Sequence, residues 1–302
     1  MAYGLQTYDD TVRREDLVDL IADVSPDSNP LMTMLGTVKA SGTYHEWMEE
    51  YFARPTSVTT SIEGATATFS DLTQPSRRGN FTQIITKNMR VSETEQAVTV
   101  AGMGDPFEYQ RGKALRQWKN DAEYSLVRGV AASGSSGVAR QMIGITAVTT
   151  THSTARNSGT SLSEDEFNTQ INDVWTDVGP DYVCDIVLVP AGLKRKISSF
   201  TAGNERYVDA TDKKLTRPVS IYESDFGVHR IFAHKDVNNS AGTTHILGIK
   251  EDMWKVAYLR PPKYTDLAKV GDSKDGQIKG ELTLEYRAER SGFAWTGYNQ
   301  NG

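Results

Sequence analysis

DPFEYQRGKALRQWKNDAEYSLVRGVAASGSSG, residues Asp105 to Gly137, is the stretch around which the rest of the chain can be placed. Asp105 is a good N-cap, and Pro106 suits the first helical position, where a missing N–H costs nothing. The Gly/Ser cluster that begins at Gly134 is a natural stop. Between these signals Phe107, Ala114, Leu115, Trp118, Ala122, Leu126 and Val130 supply the apolar side chains. From Leu115 onward they recur in steps of three or four, which keeps them on one stripe. Glu108, Lys113, Arg116, Gln117, Asn120, Glu123 and Arg128 take most of the remaining positions. The spacing predicts a helix over 105–133, about 43 Å long at the usual rise per residue. Such a helix is either the core helix of a two-layer domain or a strut on which sheets and loops are hung. Its flanks decide between these.

Composition sets outer bounds. The chain has 302 residues, 38% hydrophobic and 24% charged, enough apolar material for one large domain or two ordinary ones. A net charge of −6 argues against a dedicated nucleic-acid binder, which would present a basic surface. The single cysteine, Cys184, lies in the apolar run YVCDIVLV and reads as a small buried hydrophobe. No disulfide can form within the chain, so the fold does not need an oxidising compartment. The polar N-terminus carries no secretory signal pattern, and no apolar run is long enough to span a membrane.

Upstream of the long helix the chain is arm-like. TVRREDLVDLIADV, residues 11–24, has Val12, Leu17, Leu20, Ile21 and Val24 at helical spacing, and Ser25-Pro26 stops it. A second short apolar piece, Pro30 to Gly36, follows Asn29 as an N-cap candidate. Two brief amphipathic segments need another surface, of their own subunit or a neighbour, to lie on. Thr43–Phe52 is rich in β-forming residues but has no cleanly apolar face. Asn80–Val91 alternates, with Phe81, Ile85, Met89 and Val91 marking one side. The Thr/Ser/Ala/Gly-rich stretch between them, with Glu63-Gly64 as its tip, makes a long two-stranded hairpin. A lone hairpin is marginal in water, so this one is expected to lean on something outside itself.

Downstream, 137–160 reads as an irregular crossing. Residues 161–249 read as a compact α/β unit. Ser163 and Glu166 form a capping box, and Phe167, Ile171, Val174, Trp175 and Val178 give the helix an apolar face. Tyr182–Val189 is a central strand. A helix carrying Lys194, Arg195 and Lys196 follows, then strands either side of the turn Asp225-Phe226-Gly227, and another at His245–Ile249. In 250–302, Met253–Leu259 and Gly280–Arg290 are strands. The second has Leu282, Leu284, Tyr286 and Ala288 on one side, and Glu281, Thr283, Glu285, Arg287 and Glu289 on the other. That pattern predicts a half-buried strand with one wet face, its dry face against the long helix.

Chemistry is sparse. There is no phosphate loop, zinc helix or nucleophile elbow. His45, His152, His229, His234 and His245 are scattered and read as surface or turn residues. Asp9-Asp10 and Glu49-Glu50 are adjacent, not spaced to converge, and read as solvated charge. The basic cluster at 194–196 reads as a solvated face. No catalytic residue, cofactor site or metal site is assigned.

With these pieces in place, the chain resembles the major capsid proteins of tailed bacteriophages, specifically the phage SU-ten-type major head protein family with the Hong Kong 97-like fold. The resemblance is carried by Arg14-Glu15-Asp16-Leu17, Ser25-Pro26 and Asn29-Pro30-Leu31 in the arm, and by Thr43–Trp47 and Asn80–Ile84 at the ends of the hairpin. Val91-Ser92, Arg140–Ile145, Val189-Pro190, Lys194–Ile197 and Ser224–Gly227 continue it. It implies an α+β chain with an N-terminal arm (1–42) and an extended-loop hairpin (43–91) lying across the adjacent subunit. It further implies a peripheral domain (92–160 and 250–302) with spine helix 105–133, and an axial domain (161–249). Trp47, Phe52, Ile62, Glu63, Phe69 and Phe81 are then the candidate subunit-contact residues. The implied function is self-assembly through pentamers and hexamers into a head shell. The shell encloses double-stranded DNA without sequence-specific binding, and is assembled in the bacterial host cytoplasm. Portal and decoration proteins are implied partners. Some members carry a scaffolding segment before the arm; about 40 residues precede the hairpin here, so scaffolding is expected from a separate protein or not at all. A covalent crosslink between subunits, known in some relatives, is not assigned. The competing readings are the shell of an encapsulin-type nanocompartment, another virion or adhesion component, and an enzyme of unrecognised type.

Overall fold

The computed structural model describes residues 29–52, 55–67, 69, 74–98, 104–200, 220–238, 245–269 and 271–299. The helix expected over 11–24 lies outside them. The described chain begins with helix α1 (Pro30–Met34) and strand β1 (Gly36–Lys39), followed by the hairpin strands β2 (Tyr44–Glu49) and β3 (Ser76–Phe81). Strand β4 (Gln83–Ser92) and the short helix α2 (Glu93–Ala97) lead to the long helix α3 (Pro106–Arg128). Next come α4 (Ile145–Val148), β5 (Ser153–Thr160), α5 (Glu164–Val178), β6 (Ile186–Val189) and α6 (Ala191–Phe200). The last strands are β7 (Ser220–Ser224), β8 (Gly227–Ala233), β9 (His245–Ile249), β10 (Trp254–Asp266), β11 (Ser273–Tyr286) and β12 (Phe293–Tyr298).

Helix α3 starts as its sequence dictates. The Asp105 carboxylate accepts from the amides of Phe107 (2.8 Å) and Glu108 (3.4 Å), with Pro106 in the first turn. It ends at Arg128, five residues short of the expected stop. At Gly129 the chain meets a second glycine: the Gly144 amide donates to the Gly129 carbonyl at 2.9 Å. A Cβ on Gly129 would sit 2.4 Å from the Met142 carbonyl oxygen. The stop is therefore a contact between distant backbones, not the Gly/Ser cluster. Beyond it, Ala132 pairs with Gln141 and Ser135 with Val138. Val130 is left outside the helix and exposed, and Leu115 lies on its flank.

The dry face of α3 covers a four-stranded sheet ordered β1-β10-β11-β4. Phe107, Ala114, Trp118, Ala122 and Leu126 pack on Ile85, Met89, Ile278, Leu282 and Leu284. The Trp118 indole N–H donates to the Ile85 carbonyl (2.9 Å), so burial of the ring leaves no unpaired donor. Its ring lies on Gly280, where a Cβ would come within 2.5 Å, so this strand position has no room for a side chain. The expected pairing of the long helix with the 280–290 strand is thus present.

A six-stranded sheet, β5-β12-β9-β6-β8-β7, forms the second layer. Its central strand β6 is buried at every position. Ile186 and Leu188 face the α3 core, while Val187 and Val189 face a second core with Phe167, Ile171 and Val174 of α5 and Leu193 and Ile197 of α6. A strand buried on both faces reads as a continuous apolar run, as here. Ser163 caps α5 by accepting from the Glu166 amide (3.2 Å), but the Glu166 carboxylate turns away to Arg156 and Tyr298. Two sequence boundaries shift. β5 lies in the segment expected to be an irregular crossing, and β12 in the segment assigned to the other domain; both are hydrogen-bonded into this sheet. Likewise the strand expected over 80–91 breaks at Thr82. Its first part closes the hairpin with β2, and its second joins β11.

Candidate functional site

The functional question centres on the hairpin, because its base and its end are built differently. The base is locked to β11 by polar groups. The β11 face expected to be wet is dry: Glu281 and Glu285 are each 2% exposed and Thr283 is 0% exposed. Thr82, at the corner between β3 and β4, donates its amide to the Thr43 carbonyl (2.9 Å) and its hydroxyl to Glu281 Oε1 (2.7 Å). Arg140 (2.8 Å) and Arg260 (3.0 Å) complete the shell of Glu281. Burial alone would push this carboxyl up; the Thr82 hydroxyl and the two guanidinium groups outweigh it and hold it below the ordinary value. Glu285 behaves alike, lowered against burial by His45 Nε2 (2.7 Å) and Arg287 Nε (2.5 Å). Asn80, 2% exposed, ties three segments: its Nδ2 donates to the carbonyls of Leu284 (2.8 Å) and Ile143 (3.2 Å), and its Oδ1 accepts from the Ile143 amide (2.9 Å). Trp47 packs edge-on against Tyr286, ring centroids 4.8 Å apart, and Phe81 lies against Tyr44.

Several side chains read as solvated are consumed here or nearby. Glu49 is buried and accepts from Arg78 Nε (2.9 Å) and the Tyr51 hydroxyl. His234, after β8, donates through Nε2 to Glu123 of α3 (2.9 Å), because its Nδ1 already accepts from the Asp236 amide. The same Glu123 carboxylate accepts from the amides of Leu31 (2.8 Å) and Met32 (3.0 Å), so it caps α1 in place of Asn29. His229 is fully buried. Its Nδ1 donates to the Cys184 carbonyl (2.7 Å), and Nε2 accepts from Ser224 (2.8 Å), which closes the Asp225-Phe226-Gly227 turn. Burial lowers the His229 imidazole, and the Cys184 thiol beside it is raised. His245 is buried, and desolvation with the nearby Arg128 lowers it to about 4. These histidines are structural, not surface, residues. Alternation in a strand reports that two faces differ, not what covers the second. Among the described residues no three His, Cys, Asp or Glu side chains gather as a metal site, and no helix is long and apolar enough to cross a membrane.

The end of the hairpin is the opposite of its base. Phe52, Val58, Ile62 and Phe69 are 89%, 87%, 84% and 96% exposed. The chain turns at Glu63-Gly64, with Gly64 at φ +78° and the Ala65 amide donating to Ile62 (3.1 Å). Of the six candidate contact residues, Trp47 and Phe81 are spent largely on their own subunit. Phe52, Ile62, Glu63 and Phe69 lie on the bare part. An anchored base with an apolar, uncovered end can bind a protein surface; it places no groups for bond chemistry.

The family model described as SU10 major capsid protein matches residues 4–299. The major capsid protein of Escherichia phage Phieco32 is 27% identical over 125 residues, 41% of this chain and 36% of that protein, so the match spans about a third of the relative's length. The capsid asymmetric unit of cyanophage A-1(L) superposes with a TM-score of 0.67 at 13% identity, over 99% of this chain and 100% of that one. An encapsulin complex of Synechococcus elongatus gives 0.62 at 10% identity, over 96% and 94%. At these identities the likeness is of fold alone, and that fold is the α+β Hong Kong 97-like capsid fold.

Proposed function

This chain belongs to the SU10 major capsid protein family, and on that premise we propose that it builds the head shell of a tailed bacteriophage, assembling with copies of itself through pentamers and hexamers around double-stranded DNA. Its place is then the virion, with assembly in the host cytoplasm. The observation that carries this is the hairpin: fastened to its own subunit by buried polar locks, it ends in apolar side chains that its own subunit leaves bare. Covering Phe52, Val58, Ile62 and Phe69 on a neighbour would remove roughly 600 Å² of apolar surface from water, on the order of 15 kcal/mol gross. That is comparable to the freedom lost on association, so one hairpin binds weakly and a closed lattice of them binds firmly. Phe52, Ile62, Glu63 and Phe69 are the contact residues, with Trp47 and Phe81 holding the hairpin at its angle. Head-to-tail contacts of this kind close into rings, and rings tile a shell.

Electron microscopy of the purified full-length protein, with deletion of Thr56 to Gln74 as the comparison, tests the reading. Closed shells are expected from the intact chain, and a folded, soluble subunit without stable shells from the deletion. Shells from the deletion at normal yield and heat resistance would refute the hairpin's role. A small stable oligomer from the intact chain, in place of shells, would refute the capsid reading.

A further inference from the structure

The hairpin leaves its own subunit beside a tight turn that also grips the six-stranded layer. Tyr51 is the last held side chain on the outgoing strand; Phe52, next to it, is 89% exposed. Tyr51 is held twice. Its hydroxyl donates to Glu49, and the Arg290 guanidinium lies over its ring, 4.8 Å from the centroid. Arg290 belongs to the turn Glu289–Ser291 between β11 and β12, and its amide donates to the Tyr51 hydroxyl oxygen (3.5 Å). The same guanidinium donates through Nη1 to Asp177 Oδ1 (3.1 Å), in the last turn of α5. His152, just before β5, donates through Nε2 to the other oxygen of that carboxylate (3.2 Å). Beside Arg290, Glu289 accepts from the amides of Thr150 (2.6 Å) and Thr151 (2.8 Å). One short turn thus fastens the hairpin root to α5 and to the approach to β5.

Asp177 stands where its own helix disfavours it. The last turn of α5 carries no basic residue, and a carboxylate there meets the negative end of the helix dipole. Local propensity gives no reason for this aspartate; the two cations that it holds do. Arg290 is used on two sides at once, its edge to Asp177 and its flat face on Tyr51, which a planar guanidinium can do and a compact ammonium cannot. The buried locks at Glu281, Glu285 and Asn80 fix where the hairpin starts, but the direction of the outgoing strand is decided at Tyr51. Twelve residues separate Tyr51 from Glu63, at most about 40 Å of chain, so a tilt of about 10° at the root moves the tip by about 7 Å. We propose that Arg290 is the positioning residue of the hairpin: through Tyr51 and Asp177 it ties the direction of the bare end to α5, so that the hairpin and the six-stranded layer move as one body. A neighbour that shifts the layer then shifts the hairpin end, and the reverse. The positioning concerns a single chain; its bearing on assembly rests on the shell reading.

The test places spin labels on the full-length chain at Ser61→Cys, near the hairpin tip, and Thr169→Cys, an exposed position of α5. Native Cys184 is 1% exposed and stays unlabelled. The labelled chain is mixed into excess unlabelled chain, so that double electron–electron resonance reads distances inside one copy. A narrow distribution is expected with the native residues at 177 and 290. Arg290→Ala should raise the population away from that distance roughly tenfold, the size of one exposed cation–aromatic contact and one exposed ion pair together. Asp177→Asn should raise it about threefold, the size of the ion pair alone, and adding it to Arg290→Ala should change nothing further, because both act along one path. Arg290→Lys keeps the charge without the plane and should fall between wild type and Arg290→Ala. Arg230→Ala removes a comparable ion pair, to Glu251, and should leave the distribution as it was. An unchanged distribution in Arg290→Ala, or in Arg290→Lys where the alanine variant is insoluble, overturns the proposal. So does a broad distribution in the native background, equal broadening in Arg230→Ala, or a double variant in which the two effects add. A narrow distribution in a chain that makes no shells would refute the shell reading and leave this one standing.

Discussion

Replacing Glu281 by Gln tests whether the hairpin base is held by charge. The carboxylate is 2% exposed and accepts from Thr82 Oγ1 at 2.7 Å, Arg140 at 2.8 Å and Arg260 at 3.0 Å. Gln keeps the shape and one acceptor, but turns an N–H₂ group toward a guanidinium donor. Two charge-assisted hydrogen bonds are weakened or lost, each contributing about 1.5–3 kcal/mol. Both arginines are partly solvent-exposed, 31% and 54% at the side chain, and recover part of that from water. The net cost is about 2 kcal/mol, a drop of roughly 3–6 °C in unfolding temperature. The pH dependence gives the sharper check. Because the folded carboxyl is held below its ordinary value, its stabilisation is fully present above the unfolded pKa and is lost as pH falls through the lowered folded one. Thermal unfolding followed by circular dichroism at neutral pH should separate the two proteins, and the gap should close in strong acid. Equal unfolding temperatures at neutral pH, or a gap that persists undiminished in acid, would refute the reasoning.

Glu123→Ala removes the single acceptor of two α1 amides and of His234, at a cost of about 3–5 kcal/mol for a broken buried polar cluster; denaturant unfolding measures the loss, and hydrogen exchange at Leu31 and Met32 should accelerate first. Gly248→Ala places a Cβ 2.1 Å from the Phe293 ring, which is itself stacked on Trp295 at 3.7 Å and has nowhere to go, so insoluble or strongly destabilised protein is expected, and a soluble variant with an unchanged unfolding midpoint would contradict the packing.

Much of the architecture is written locally. Asp105-Pro106 and Ser163 start their helices because side chains a few residues away satisfy the first amides. The run ending in Ile186–Val189 becomes a central strand because it has no polar side to show. Glu63-Gly64 turns because glycine tolerates its backbone angle. The bareness of the hairpin end was legible for the same reason: Thr, Ser and Ala with isolated Phe and Ile cannot build a core of their own. The end of α3, the split at Thr82, the membership of β5 and β12 in the six-stranded sheet, and the drying of Glu49, Glu281 and Glu285 were not legible. Each depends on a partner far away in sequence, Gly144 for Gly129 and Arg140 for Glu281 among them. The sequence alone determined the starts of α3 and α5, the buried strand β6 and the hairpin turn, since caps, breakers and periodicity act over a few residues; it did not mark β1, β5 or β12 as strands. Only the tertiary structure decided which charged faces are buried, because a carboxylate's environment is set by the donors that distant segments bring to it.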